Sequence, residues 1–419
     1  MSEFRWEQIK FGDRVFSQSG KHYVFVQDVN SGKNVVLTRE AYEVVLQICD
    51  NKWNISDVTK NCETDDDREY ILSVVNKLAD NCIIRDVNDD SEYADMDMVI
   101  DWDVTNRCNL LCRHCCQSAG NEYIDISKED CIQIVDKLIG LKPVSINISG
   151  GEPLVRKDFE DIIKRLRSGY SGKLSLMTNA TLVDEARAEF ISRNFNSVSV
   201  SLDGYDEESC AVIRGEGVFT RAVKGIDQLK KAGTEKISAS MIITKVTVNH
   251  KEDFKSLCRK IGVEPYFRRL DLVGRAKEEL DTLTVDEEEI VFSEPKHDEN
   301  GELVKRAMPI RAFSCRAAFG QFQIDYKGNI YPCQALMDDA LKLGNVLEII
   351  DLNEYLRNRL FKQRAEYKTL EKCFPYNFEP CSGCGKSLFC WHCIEPMFRN
   401  GSRRDDCEHC RKVFENYPE

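Results

Sequence analysis

Apolar positions change their period along the chain, and each change marks a different kind of structure. Residues 1 to about 90 begin with two apolar-rich runs, KHYVFVQDV and KNVVLT, joined by NSGK, a turn signal between two strands. Helical spacing follows in REAYEVVLQICD, ISDVTKNC and DREYILSVVNKLADNC, and in the last of these Ile71, Val74, Val75 and Leu78 recur at i, i+3, i+4 and i+7. A hairpin followed by three helices predicts a small winged-helix-like domain over residues 1–90. The Asp-rich stretch RDVNDDSEYADMD, nearly free of apolar residues, reads as the linker behind it.

From 99 to 275 strand and helix patterns alternate. MVIDWDVT, VSINIS, KLSLMT, SVSVSLD, KISASMIIT and EPYFRRL read as strands, and amphipathic runs such as SKEDCIQIVDKLIGL and FTRAVKGIDQLKKAG lie between them. Repeated β/α units predict parallel strands with right-handed crossovers, hence an α/β barrel or open sheet with its functional residues where strands end. Residues 276–309 are acidic and polar, a bridge of weak structure, and 310–419 form a cysteine-rich tail that needs metal to hold its shape.

With 419 residues, 42% of them hydrophobic, the chain can build two or three domains with real cores. The start, MSEFRWEQIKFGDRVF, lacks the apolar stretch and cleavage site of a secretory signal, and no run approaches the ~18 apolar residues of a membrane span. The expected location is the cytoplasm, with no membrane partner. A net charge of −13, from 58 basic against 71 acidic side chains, repels a phosphate backbone and argues against nucleic acid, while a neutral or basic peptide is compatible with it.

Nineteen cysteines change the picture most. Disulfides are rare in a reducing cytosol, which leaves metal or iron-sulfur ligation as the leading account. Cys49, Cys62, Cys82, Cys131, Cys210 and Cys258 stand alone and read as small core hydrophobes. The rest fall at 108–116 and 315–410. Cys108, Cys112 and Cys115 follow the first barrel strand with C-x3-C-x2-C spacing. Three thiolates can hold a cubane cluster at three irons and leave the fourth open; a zinc knuckle is the competing reading, and Cys116 falls outside the spacing.

CNLLCRHC is similar to the signature of radical S-adenosylmethionine (SAM) enzymes. That resemblance implies a partial (β/α)6 TIM-type barrel, a SAM molecule whose amino and carboxylate groups bind the open iron, and cleavage of SAM to a 5'-deoxyadenosyl radical by an electron from a donor such as flavodoxin or ferredoxin. It also implies the cofactor-binding residues. SGGEP follows the second strand as the family's glycine-rich motif does, with Gly150 and Gly151 admitting a ligand to the backbone and Glu152 accepting from the SAM ammonium. Thr178 and Asn179 in MTNAT end the third strand. Ser201 and Asp203 in SLDG end the fourth, where relatives contact the ribose, and Arg214 in IRGEGVF matches an arginine that pairs with the SAM carboxylate. His114 would pack beside the adenine. Each of these strand ends has a plainer reading as a turn, Asp203-Gly204 included.

In the tail, Cys315, Gly328 and Cys333 around FGQFQIDYKGNIYPC resemble the start of the SPASM extension of radical SAM enzymes, which implies two auxiliary 4Fe-4S clusters and three clusters in all. The pattern carried over puts Cys381, Cys384, Cys390 and Cys407 on the distal cluster and Cys315, Cys333 and Cys393 on the proximal one. Cys373 and Cys410 are candidates for its fourth ligand. The sequence departs from the family where Cys390 and Cys393 are spaced C-x2-C instead of C-x3-C. Paired C-x2-C units also build structural zinc sites, although the gap between these pairs is shorter than the ~15 to 20 residues usual in a zinc ribbon.

The N-terminal domain resembles the recognition element of enzymes that modify ribosomally made peptides, which binds a precursor's leader as an added strand. Together these resemblances imply a peptide maturase that abstracts hydrogen from a precursor peptide and installs a crosslink, a thioether first and a carbon-carbon bond second. The alternatives are a sulfatase-type maturase that oxidises one Ser or Cys, and a non-catalytic iron-sulfur adapter that binds peptide.

Overall fold

The computed structural model describes residues 6–12, 15–19, 22–28, 33–88, 97–285, 315–374, 377–379 and 393–400. They belong to two compact units, one drawn from Met1–Met96, Leu303–Gly320 and Gln363–Glu419, the other from Asp97–Glu302 and Gln321–Lys362.

In the first unit the elements run β1 (Ile9–Phe11), β2 (Val15–Ser19), β3 (Tyr23–Asp28), β4 (Asn34–Thr38), α1 (Arg39–Asp50), α2 (Ile55–Lys60), α3 (Asp65–Asp80) and β5 (Ile84–Asp86). β2, β3 and β4 form an antiparallel sheet in that order, and β1 pairs antiparallel with β5. Val24, Val26, Val35, Leu37, Val45, Ile48, Val75 and Leu78 share one core, so the alternating strand positions and the helical stripes meet there. Thr38 ends β4 and its hydroxyl accepts the Ala41 N–H at 3.2 Å, capping α1 without an intervening loop. The expected hairpin and three helices are present. β1 and β5 are too short to carry a period, and β5 takes Arg85 and Asp86, which the sequence assigns to the linker.

The second unit alternates β6 (Val99–Asp103), α4 (Lys128–Leu141), β7 (Ser145–Ser149), α5 (Phe159–Gly169), β8 (Lys173–Thr178), α6 (Glu185–Asn194), β9 (Ser197–Ser201), α7 (Glu207–Arg214), α8 (Val218–Lys231), β10 (Ile237–Ile243), α9 (Lys251–Ile261) and β11 (Glu264–Arg269). These strands lie in the order β11-β10-β9-β8-β7-β6, all parallel, as expected of a partial barrel. Ile146, Ile148, Leu174, Leu176, Val198 and Val200 are buried. The residues between them, Ser145, Asn147, Ser149, Ser175, Ser197, Ser199 and Ser201, are only half-buried. Parallel strands covered on both faces read as continuous apolar runs. Here one face is polar, so the barrel interior is a lined space and not a second core.

The sheet then continues beyond the expected barrel. After α10 (Leu280–Leu283) come β12 (Gln321–Ile324), β13 (Asn329–Tyr331) and β14 (Gly344–Asn345). β12 pairs parallel with β6, and β13 and β14 follow antiparallel, giving a nine-stranded sheet. Gln321 and Gln323 donate to Asp101 and Asp103 of β6 at 2.7 and 2.8 Å. Residues 321–362 thus pack with the barrel instead of forming one tail domain from 310, because the edge of β6 offers unpaired backbone groups that β12 satisfies. Gly328 stands at φ +83° in the tight turn between β12 and β13, which is why the tail motif has glycine there. In the expected bridge, residues 276–283 are helical, 284 and 285 are irregular, and 286–309 lie outside the described residues. Among the described residues no helix is long and apolar enough to cross a membrane.

Candidate active site

Past Asp103 the chain leaves β6 and folds into a loop closed at its base, where Cys108 N–H donates to Gly120 O at 3.1 Å and Gly120 N–H to Asn106 O at 3.2 Å. Cys108, Cys112 and Cys115 pack into one pocket with Leu110, Ala119, Cys210, Val218 and Phe219. Leu110 N–H points at Cys108 Sγ and Ala119 N–H at Cys115 Sγ, both at 3.4 Å, while Arg214 Nη1 donates to Cys112 Sγ at 3.7 Å. Burial pushes the Cys108 thiol up to about 12 and raises that of Cys112, where Arg214 opposes it. Thiolates here therefore need a cation and the donors already aimed at them. Among the described residues no three Cys, His, Asp or Glu side chains close on a point as ligands of one ion do. A cubane takes its thiolates on separate irons, so this donor set fits a cluster better than zinc.

The glycines of SGGEP admit the chain's own backbone. A Cβ on Gly150, which has φ +140°, would lie 2.2 Å from Thr105 O, and one on Gly151 would lie 2.3 Å from Arg107 O. Gly151 and Glu152 N–H donate to those same carbonyls, both at 2.9 Å, and so tie the end of β7 to the cysteine loop. Glu152 is fully buried. Its Oε1 accepts from Thr178 Oγ1 at 2.7 Å and Leu154 N–H at 3.2 Å, and its Oε2 from Asn179 N–H at 2.7 Å. Burial raises its carboxyl against the pull of those donors. Oε2 keeps acceptor capacity for one further donor. Thr178 and Asn179, expected at a ligand, are used within the chain, since Asn179 Nδ2 also donates to Asn109 Oδ1 at 3.0 Å.

Asp203 differs most from expectation. It has φ +50°, is fully buried and acts as a hub: Oδ2 accepts from Arg214 Nη2 and His114 Nε2, both at 2.5 Å, and Oδ1 from Ile242 N–H at 2.6 Å. Burial pushes its carboxyl up, but Arg214 and then His114 outweigh that and hold it well below the usual carboxylate range. Its three donors come from the protein, so it orients Arg214 and His114 instead of facing open space. His114 Nδ1 and Arg214 Nε are buried without a partner among the described residues, orphaned polar atoms beside the sulfurs that a bound cofactor can satisfy. Ser201 lies half-buried on the polar face of β9.

Several residues here escape sequence reasoning. Arg275 Nε donates to Cys112 O at 2.9 Å and Nη1 to Ala119 O at 2.8 Å, and its N–H donates to Cys115 O at 3.0 Å. Gly274, at φ +58°, brings this segment so close that a Cβ would lie 2.4 Å from Cys116 O. The only signal was a Gly-Arg pair following the last barrel strand. Asp103 Oδ2 accepts from Gln117 at 2.7 Å and Gln323 at 2.8 Å, while burial and then Asp101 push its carboxyl well above the usual range. Cys210, isolated in sequence, lines the sulfur pocket. Cys82, expected in a core, is exposed at φ +60°.

In the tail Cys315 and Cys333 are half-buried, Cys373 is buried and Cys393 exposed. Cys381, Cys384, Cys390, Cys407 and Cys410 lie outside the described residues.

Comparison with known proteins agrees with this geometry. Residues 102–261 match the family model of the radical SAM superfamily, and 315–385 that of the SPASM iron-sulfur cluster-binding domain. The chain is 26% identical over 305 residues to mycofactocin maturase MftC of Mycolicibacterium smegmatis, covering 69% of this chain and 78% of that protein. It is 27% identical over 324 residues to the same maturase of Mycobacterium ulcerans, covering 73% and 85%. Its fold is similar to that of Streptococcus suis SuiB bound to S-adenosylmethionine, at 16% identity and a TM-score of 0.55 over 95% of this chain and 100% of that one. It is also similar to anSMEcpe with bound AdoMet and Cp18Cys peptide, at 19% identity and a TM-score of 0.52 over 76% and 96%. The chain is a radical SAM enzyme with a SPASM extension, and S-adenosylmethionine and 4Fe-4S clusters are its cofactors.

Proposed function

We propose that this enzyme is a peptide maturase that removes hydrogen from a ribosomally made precursor and installs an intramolecular crosslink, a thioether in the first instance and a carbon-carbon bond in the second. The observation that carries the reading is the half-buried Ser and Asn face of β7, β8 and β9, an interior that offers a peptide hydrogen-bonding partners at the strand ends beside the sulfur pocket. The relatives named as maturases, and the similar structures solved with peptides bound, support it.

The chain's own residues have distinct tasks. Cys108, Cys112 and Cys115 hold the cluster, and Arg214 and the Leu110 and Ala119 N–H groups favour their charged sulfurs. The spare acceptor of Glu152 would take an N–H of the SAM ammonium, and the orphaned Arg214 Nε and His114 Nδ1 would be available to the same cofactor. Cluster and SAM supply, when bound, a 5'-deoxyadenosyl radical. Cys315, Cys333, Cys373, Cys381, Cys384, Cys390, Cys393, Cys407 and Cys410 would hold two auxiliary clusters, which would offer an electron acceptor when bound. In the N-terminal sheet β2 and β4 are the edge strands, and a leader peptide adds to one of them through backbone hydrogen bonds.

The test is anaerobic incubation of reduced, reconstituted enzyme with SAM and the peptide encoded by a short reading frame next to its gene. Formation of 5'-deoxyadenosine with a product that has lost two hydrogens and a cysteine's reactivity toward alkylation is the expected result. Loss of hydrogens with every thiol retained makes the bond carbon-carbon, and an aldehyde in the product assigns the sulfatase-type reaction. Absence of 5'-deoxyadenosine would leave the adapter reading.

A further inference from the structure

Phe267 of β11 packs on Phe254 of α9 with ring centroids 5.8 Å apart, so its neighbours Tyr266 and Arg268 face the opposite side, the polar interior. Among the described residues β11 is an edge strand bonded to β10 alone, and Tyr266 is 59% exposed beside that opening. Arg268 is half-buried. Its guanidinium donates to Gln334 Oε1 at 3.2 Å and has no carboxylate at ion-pair distance among the described residues. A partly desolvated cation without a counter-ion is costly, and a guanidinium is shaped to receive a carboxylate on two parallel N–H bonds.

Cys116, directly after the cysteine expected to ligate the cluster, lies within electrostatic reach of Asp271, Asp103 and Arg268. Asp103 makes no ion pair with Arg268. Its Oδ2 is taken by Gln117 and Gln323, its Oδ1 has no partner among the described residues, and burial and then Asp101 push the carboxyl well above the usual range. Arg268 thus stands on the polar face of β11, near the cysteine loop, with the Gln334 amide oxygen as its hydrogen-bond partner and no ion pair among the described residues.

We propose that Arg268, oriented by Gln334, anchors a carboxylate of the substrate inside the barrel and thereby sets which residue of a peptide meets the radical. The inference rests on the reading of the substrate as a peptide. An acidic side chain and a peptide's C-terminal carboxylate offer the same chemistry, and the probes separate them.

Calorimetry on full-length reconstituted enzyme with SAM would use three peptides: Ac-Ala-Glu-Ala-NH2, Ac-Ala-Ala-Ala-OH and the neutral Ac-Ala-Gln-Ala-NH2. One of the two carboxylate peptides should bind about fivefold tighter than the neutral one, the preference a single partly screened ion pair confers. Arg268→Gln should abolish that preference and Arg268→Lys keep part of it, with iron content equal to the wild type in each variant as the check on folding. Equal binding of all three peptides, or a preference that survives Arg268→Gln, overturns the anchor and leaves the peptide reading standing. Failure of every peptide to bind overturns both.

Discussion

Arg275 reaches the carbonyls of Cys112 and Ala119 while its own N–H meets Cys115, so one residue of the segment after β11 holds both legs of the cysteine loop. Truncating it removes two charge-assisted bonds, about 3 kcal/mol of loop stability. Arg275→Ala should therefore lose most of its SAM-binding cluster during anaerobic gel filtration and show altered electron paramagnetic resonance of the reduced cluster, with partial rescue in Arg275→Lys; an unchanged spectrum would show that the loop holds its own shape. Asp203 acts by charge. Because its folded pKa is depressed, its stabilising contribution is present above the unfolded carboxylate value near ~3.9 and is lost as pH falls through the depressed range. Asp203→Asn leaves the buried Arg214 unpaired, a cost of about 3–5 kcal/mol, and should lower the melting temperature at neutral pH while flattening the acid limb of the stability profile.

At the scale of elements, the N-terminal strands and helices enclose a core of their own. If leader recognition belongs to this domain, it separates from chemistry at the barrel strand ends. Removal of residues 1–90 should leave uncoupled formation of 5'-deoxyadenosine largely intact while modification of the full precursor collapses, both read by liquid chromatography with mass spectrometry. A truncated enzyme that modifies the precursor at the normal rate would take leader binding away from this domain. Ser in VSINIS, KLSLMT and SVSVS made the strands legible through their period of two. In the structure that same alternation places the serines on one half-buried face of the sheet. β12 was not legible as part of this sheet, because QFQI has the pattern of any short strand and only its partner, β6, defines where it belongs.

The whole molecule is expected to carry about twelve irons, four in each of three cubane clusters. Replacing Cys108, Cys112 and Cys115 together by Ala should leave about eight, because the auxiliary ligands belong to the tail. Zinc in place of iron in that triple variant, measured by plasma mass spectrometry, would overturn the auxiliary-cluster assignment and leave the radical SAM core untouched.

What the sequence determined by itself was local: the spacing of three thiols on one loop, the period of each strand and helix, and glycines where backbone must pass close. These follow from neighbours a few residues apart, and they sufficed for the barrel and the cysteine loop. Partnerships between distant residues were decided by tertiary structure alone. Asp203 looked like a turn or a ligand contact and became the buried hub between His114 and Arg214. Arg275 reached back to Cys112, Arg268 bonded to Gln334 on a polar face with no ion pair among the described residues, and Cys210 joined the sulfur pocket. The physical reason is common to all four. A side chain's partner and charge balance depend on which strand ends the fold brings together, and no spacing along the chain records that distance.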